Sequence, residues 1–176
     1  MEILRILVTG GVGAPKTSLI HTMSEIEAVD TDNKATDEVA KLKDKTTVAL
    51  DFGRLTLAPN QSIHLYGTPG QARFDFMWDI LLENADAYIL LIDTSNPGNI
   101  SQSYNIYQFI NQRTTIPMII GLTHTDCFGA LSREVVAKTV EGISSTEEVP
   151  IMEVNTNERD SSIQLLKTLL KRNFEV

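Results

Sequence analysis

The run Gly10-Gly11-Val12-Gly13-Ala14-Pro15-Lys16-Thr17-Ser18 combines a glycine-rich turn, a cation and a hydroxyl directly after an Ile/Leu/Val-rich stretch. It follows the phosphate-binding pattern G-x-x-x-x-G-K-[ST], with Gly10 as the first glycine, Lys16 as the lysine and Thr17 as the hydroxyl residue. In that pattern consecutive backbone N–H groups and a helix N-terminus converge on phosphate oxygens. The lysine neutralises terminal oxygens and the hydroxyl faces Mg²⁺. Pro15 stands where the second glycine belongs. It has no N–H, fixes φ at about −65° and biases Ala14 toward extended backbone. One missing charge-assisted hydrogen bond is worth about 1.5–3 kcal/mol, roughly ten- to two-hundred-fold in affinity. Weakened phosphate binding is therefore expected. Taken alone, the run also reads as a glycine-rich turn before a helix with a chance Lys-Thr.

Such a loop needs a strand before it and a helix after it. Ile3-Leu4-Arg5-Ile6-Leu7-Val8 reads as a buried strand that ends at Gly10-Gly11. From Lys16 to about residue 28 the spacing of Leu19, Ile20, Met23 and Ile26 predicts one apolar helix face. Residues 30–46 have almost nothing to bury and read as a solvated linker or functional loop. Strands are expected at Thr47 to Phe52 and Ser62 to Tyr66, with Pro59-Asn60 as the turn signal. The continuous apolar runs 87–92 and 117–122 predict central strands covered on both faces. Helical spacing at about 101–112 and 132–142 alternates with them, and a last strand near 150–154 leads to a helix opened by Asp160-Ser161-Ser162. That helix carries Ile163, Leu166 and Leu170 along one stripe. Alternating strands and helices predict an α/β fold with an open, mostly parallel sheet and helices on both faces. Ligands in such sheets sit beyond the carboxyl ends of the strands, and two further runs lie there. Gly67-Thr68-Pro69-Gly70-Gln71-Ala72-Arg73-Phe74 and Thr123-His124-Thr125-Asp126 each follow a strand.

The 176 residues fit a single domain, 1–176, without a separate linker or tail. Fifteen basic against twenty-three acidic side chains give a net charge of −8, which opposes groove-type binding of nucleic acid and an anionic membrane surface. A nucleoside triphosphate is not excluded, because it needs only Lys16, a metal and backbone N–H groups. One cysteine, Cys127, rules out an internal disulfide and suits a reducing compartment; it reads as a packing thiol. The sequence shows no signal peptide, membrane span or lipid-anchor motif, so a cytoplasmic protein is expected. His21 and His64 have no ligand-spaced neighbours and read as ordinary histidines. Phe74, Phe76, Met77 and Trp78 suit either core packing or a partner-binding surface. Arg54 and Arg73 read first as surface ion-pair partners.

Three strand-end motifs in this order, about fifty residues apart, are far more specific than any one of them. Gly67-Thr68-Pro69-Gly70-Gln71 resembles the D-x-x-G-Q switch of small GTPases, and Thr123-His124-Thr125-Asp126 resembles their [NT]-K-x-D guanine motif. From residue 3 to residue 172 the chain resembles a Ras-like small GTPase. The phrase Thr46-Thr47-Val48-Ala49-Leu50-Asp51-Phe52-Gly53, with Phe74-Asp75-Phe76-Met77-Trp78-Asp79, is similar to the prokaryotic branch related to gliding-motility GTPases. The resemblance implies a three-layer α/β/α P-loop NTPase with about six strands, binding GTP or GDP with Mg²⁺. It implies that Gly10, Gly13, Ala14, Lys16, Thr17 and Ser18 surround the phosphates. Thr17 and Thr47 (Thr46 being the alternative) would ligate Mg²⁺, with Thr47 in a first switch. Gly70 would sense the γ-phosphate and Gln71 would orient the attacking water. Thr123, His124 and Asp126 would hold the base, Asp126 accepting from N1–H and the 2-amino group of guanine. Asn155-Thr156-Asn157 would fall beneath it.

Two departures accompany Pro15. Gly67 stands where the family carries an acidic residue that holds Mg²⁺ through water, so weaker metal retention is expected. His124 replaces the base-stacking lysine. The sequence thus supports a guanine-nucleotide switch with slow or partner-assisted hydrolysis, a roadblock-type regulator being the partner the resemblance implies. A pseudo-GTPase that binds nucleotide weakly and a nucleotide-free interaction scaffold stay open beside it. A single switch domain leaves no room for a regulator of its own.

Overall fold

Alternation along the apolar runs sorts their side chains to two faces, and the computed structural model shows what covers each. It describes residues 2–26, 51–68, 75–141 and 149–174. The strands are β1 (Glu2–Gly10), β2 (Phe52–Ala58), β3 (Gln61–Gly67), β4 (Ala87–Asp93), β5 (Met118–Thr123) and β6 (Ile151–Glu153). The helices are α1 (Lys16–Met23), α2 (Asp75–Glu83), α3 (Pro97–Asn111), α4 (Arg133–Glu141) and α5 (Arg159–Asn173). Among the described residues one six-stranded sheet has the order β2-β3-β1-β4-β5-β6. Every pairing is parallel except β2 with β3, a hairpin closed at Pro59-Asn60.

Ile6 and Val8 of β1 join Ile89 and Leu91 of β4 in a core completed by Leu19, Ile20 and Met23 of α1 and Leu165, Leu166 and Leu169 of α5. Leu7, Tyr88, Leu90 and Ile92 face the opposite way, onto residues of α2, α3 and α4. Two faces covered by helices explain why β1, β4 and β5 read as continuous apolar runs. The architecture is the expected three-layer α/β/α arrangement of a P-loop NTPase.

Two elements take bounds other than those expected, and one open alternative is decided. The strand expected at 47–52 falls mostly outside the described residues, and the described strand there, β2, runs from Phe52 to Ala58. Residues 47–50 lie outside the described residues. Strand β2 is an edge strand with Arg54, Thr56 and Leu57 exposed, so its apolar signal is weaker than that of Val48-Ala49-Leu50 just upstream. Helix α1 stops at Met23, because Ser24 takes extended backbone and its hydroxyl bonds the Ile26 carbonyl and N–H. Trp78 is a core residue, 5% exposed, with its ring 6.0 Å from Phe109. Arg113 stacks 3.5 Å over the other ring of that pair and bonds Asp79 at 3.1 Å, sealing the cluster. No helix among the described residues is long and apolar enough to cross a membrane.

Candidate functional site

Strands β1, β3, β4, β5 and β6 run parallel, so the segments that follow them emerge on one edge of the sheet. Strand β2 is antiparallel, which brings its beginning, at Asp51, to the same edge.

The loop 11–15 is tightly constrained. A Cβ on Gly10 would lie 2.5 Å from the Leu91 carbonyl oxygen, so only glycine lets β1 meet β4 there. Gly11 lies beneath α3: an added Cβ would meet Asn99 Nδ2 at 2.7 Å and Gln102 Oε1 at 2.8 Å. The backbone is also pinned there. Val12 N–H donates to Gln102 Oε1 at 2.9 Å, Asn99 Nδ2 donates to the Val12 carbonyl at 3.0 Å, and Gly11 N–H reaches Ser103 Oγ at 3.4 Å. Gly13 has φ +84°.

Pro15 has φ −80° and ψ 55°, the geometry of an inverse γ-turn. The Lys16 N–H accordingly donates back to the Ala14 carbonyl at 2.8 Å. Lys16 Nζ donates to the carbonyls of Gly10 and Gly11 at 3.2 and 3.0 Å. Burial pushes its ammonium below the usual lysine range, and the Asp51 charge partly opposes this. The Thr17 hydroxyl donates to Asp51 Oδ2. Ala14 is buried and Ser18 half-buried beside them.

On the far side, Thr123 is buried with its hydroxyl 3.4 Å from the Ile92 carbonyl. Its own carbonyl accepts from Thr94 N–H and Oγ1 at 3.1 and 2.9 Å. His124 has φ +56°, an uncommon left-handed conformation for a non-glycine residue. Its Nδ1 lies 3.2 Å from Asp93 Oδ1 and 3.3 Å from Thr123 Oγ1. Cys127 N–H closes a turn on the His124 carbonyl at 3.1 Å, leaving Asp126 exposed at its tip. Cys127 is itself exposed, which corrects the packing role expected of it. Asn155 organises the next loop, its Oδ1 accepting from Asn157 N–H at 3.1 Å and its Nδ2 donating to Glu158 at 2.8 Å.

The two halves are joined. Buried Asn99 accepts from Asp93 N–H at 3.0 Å while donating to Val12, so the contacts run Val12–Asn99–Asp93–His124. Gly10, Gly13, Ala14, Lys16, Thr17, Ser18, Thr123, His124 and Asp126 therefore share one edge of the sheet. Thr46, Thr47, Gly70, Gln71, Arg73 and Phe74 lie outside the described residues, as do the side chains of Phe76 and Met77. Arg54 is exposed on β2, and His21 is exposed. His64 is buried edge-on to Phe52 at 5.3 Å, the ordinary core histidine expected.

Sequence reasoning did not single out Asp51, Asp93, Asn99, Gln102 or Ser103. A signal existed for α3: Asn96-Pro97 is a helix start, and Asn99, Gln102 and Ser103 share its next turn. Their partners are about ninety residues away, beyond the reach of local pattern.

A family described as "Conserved hypothetical ATP binding protein" has a model that matches residues 26–174. That span begins after the glycine loop. "Uncharacterized protein MJ1339" of the archaeon Methanocaldococcus jannaschii is 28% identical over 124 residues, 70% of this chain and 71% of that protein. "Ras-related protein Rab-7L1" from rat and from mouse is 27% identical over 120 residues, 66% of this chain. The alignment spans 53% of each Rab protein, about half its length.

Proposed function

Because the chain belongs to the family described as conserved hypothetical ATP-binding proteins, we propose that it binds a purine nucleoside triphosphate at this edge. We propose further that it acts as a guanine-nucleotide switch with slow or partner-assisted hydrolysis. The observation that carries this reading is the contact chain Val12–Asn99–Asp93–His124, which couples a phosphate-type loop to a base-type loop. Likeness to Ras-related proteins supports it; a gliding-motility relationship and a roadblock-type regulator are part of the same proposal.

Each residue has a task that its chemistry suits. Lys16 has two carbonyl partners that it can exchange for phosphate oxygens. Thr17, a hydroxyl beside a carboxylate, suits a hard cation that prefers oxygen ligands. Mg²⁺ there would offset charge on the phosphate oxygens. Thr47 is proposed as its second protein ligand, Gly70 as the γ-phosphate donor and Gln71 as the residue that orients water. The family's description names ATP, whereas Asp126 favours guanine. A carboxylate accepts from N1–H and the 2-amino group, which adenine lacks.

A second reading, a weak binder without turnover, is favoured by the γ-turn at Pro15. Calorimetric titration with GDP, GTP and ATP, with and without Mg²⁺, tests both. Guanine nucleotides should bind more tightly than ATP, and Asp126→Ala should lose at least the worth of one charge-assisted hydrogen bond of that preference, roughly ten- to two-hundred-fold. Equal affinity for ATP and GTP in the parent chain would remove the role given to Asp126. No binding at millimolar nucleotide would remove the function. Binding without single-turnover hydrolysis would leave the second reading.

A further inference from the structure

Two side-chain amides of α3 stand against the glycine loop, and they engage it in opposite senses. Asn99 Nδ2 donates to the Val12 carbonyl at 3.0 Å, whereas Gln102 Oε1 accepts the Val12 N–H at 2.9 Å. Asn99 is buried and bonded at both ends, its Oδ1 accepting from Asp93 N–H at 3.0 Å and Ser103 Oγ at 3.3 Å. Gln102 is exposed, and among the described residues its bond to Val12 is the one it makes. A backbone N–H can bond only the oxygen of an amide, so the orientation of Gln102 is fixed by chemistry. Its Oε1 is engaged by the loop, and Nε2, with two N–H donors, is the free edge.

That edge stands where an anion is expected. Lys16 Nζ is bonded to the carbonyls of Gly10 and Gly11, so the ammonium that suits terminal phosphate oxygens lies at the start of the loop. Gln102 reaches the same stretch from α3, its Oε1 2.8 Å from the position a Cβ on Gly11 would take. Backbone donors are scarce there. Pro15 has no N–H, the Lys16 N–H is bonded to the Ala14 carbonyl, and the Val12 N–H is held by Gln102 itself. In exchange for that one N–H the amide offers two, and accepting a hydrogen bond polarises it toward donating more strongly.

We propose that Gln102 is a phosphate-binding residue of this site, its Nε2 donating to the γ-phosphate of a nucleoside triphosphate. The proposal rests on the nucleotide-binding reading and deepens it with a residue from α3, outside all three strand-end motifs. A diphosphate lacks the group that Nε2 holds, so the contact distinguishes the triphosphate from its hydrolysis product.

The test compares the full chain with Gln102→Leu and Gln102→Glu. Calorimetry reads the affinity of each for GDP and for a non-hydrolysable GTP analogue, and urea unfolding reads its stability. Leu removes the donors and the acceptor together; the Val12 contact is exposed, so water takes the vacated N–H. Glu keeps an oxygen for the Val12 N–H, removes both donors and adds a negative charge. Affinity for the GTP analogue should fall roughly ten- to two-hundred-fold in Gln102→Leu, the worth of one charge-assisted hydrogen bond, and further in Gln102→Glu. Affinity for GDP should fall far less in both, and the urea midpoint of Gln102→Glu should match the parent's. An equal loss for GDP and the analogue would overturn the proposal, because it marks a side chain that only shapes the loop. So would unchanged affinity for the analogue. A gain in Gln102→Leu would also overturn it, by showing that the amide competes with phosphate for the Val12 N–H. All three outcomes leave nucleotide binding intact, whereas a parent that binds neither nucleotide would overturn both readings.

Discussion

At position 15 the pyrrolidine ring removes one N–H from the loop, and the γ-turn it adopts engages a second. The Lys16 N–H, which heads α1, is spent on the Ala14 carbonyl. Counting the sequence alone gives the first loss; the second needed the backbone angles. Pro15→Gly restores the missing donor and frees the turn to open. It should tighten nucleotide by at least the worth of one charge-assisted hydrogen bond, about 1.5–3 kcal/mol or roughly ten- to two-hundred-fold. Titration calorimetry measures this, and an unchanged affinity would mean that the phosphates do not lie on this loop. The placing of Lys16, Thr17 and Asp126 at strand ends was legible because their types and spacing are themselves the signal. Asp51 was not, since a single carboxylate before a strand has no local pattern to distinguish it.

Helix α3 is the element that sets the loop's position. Asn96 caps it by accepting from Gly98 N–H at 3.0 Å, and Pro97 occupies its first turn. One turn on, Asn99 is 1% exposed and bridges Val12, Asp93 and Ser103. Removing its amide leaves the Asp93 N–H and the Val12 carbonyl short of a partner. Asn99→Ala should cost about 1–3 kcal/mol of stability, seen as a lower urea midpoint at unchanged m-value. Nucleotide affinity should fall with it, because the Val12 carbonyl loses its tie to α3 and only the Gln102 and Ser103 contacts still hold the loop. A variant that lost stability but kept full affinity would show that α3 supports the core and not the loop. The hairpin is the other decisive element. Its register pairs Phe52 with Tyr66, so Asp51 falls opposite Gly67. Pro59-Asn60 marked that turn in the sequence, while the expected strand reached only to Phe52, the first residue of β2. An edge strand with one solvated side is a weak hydrophobic signal.

Across the whole molecule, the net charge of −8 coexists with a half-buried cation, Lys16, at the glycine loop. Burial holds the Lys16 pKa below its ordinary 10.5, with Asp51 opposing. The unfolded chain therefore binds more protons in the window between the lowered value and 10.5, and stability rises with pH through it. Relative to Lys16→Met, the parent should gain stability as pH climbs toward 10.5. Below the lowered value the difference should be flat. Thermal unfolding of both chains across that range checks the sign; a difference that shrank with rising pH would contradict it. In the same assay, nucleotide at a hundredfold excess over Kd should stabilise the parent by about 2.7 kcal/mol, roughly 5–10 °C. Lys16→Met should lose that shift.

By itself, the sequence determined the alternation of strand and helix, the apolar runs of β1, β4 and β5, and the strand-end positions of Lys16, Thr17, Thr123 and Asp126. Those are local facts, since periodicity and turn chemistry act over a few residues. Tertiary structure decided what meets across the sheet edge. It placed Asp51 in the space left by Gly67 and α3 over Gly11 and Val12, and it turned His124 toward Asp93. It also selected the core for Trp78, where the sequence allowed core or surface, and moved Cys127 out to solvent. These pairings depend on strand order and register, set by how both faces of the sheet are buried at once. No short window of residues contains that constraint.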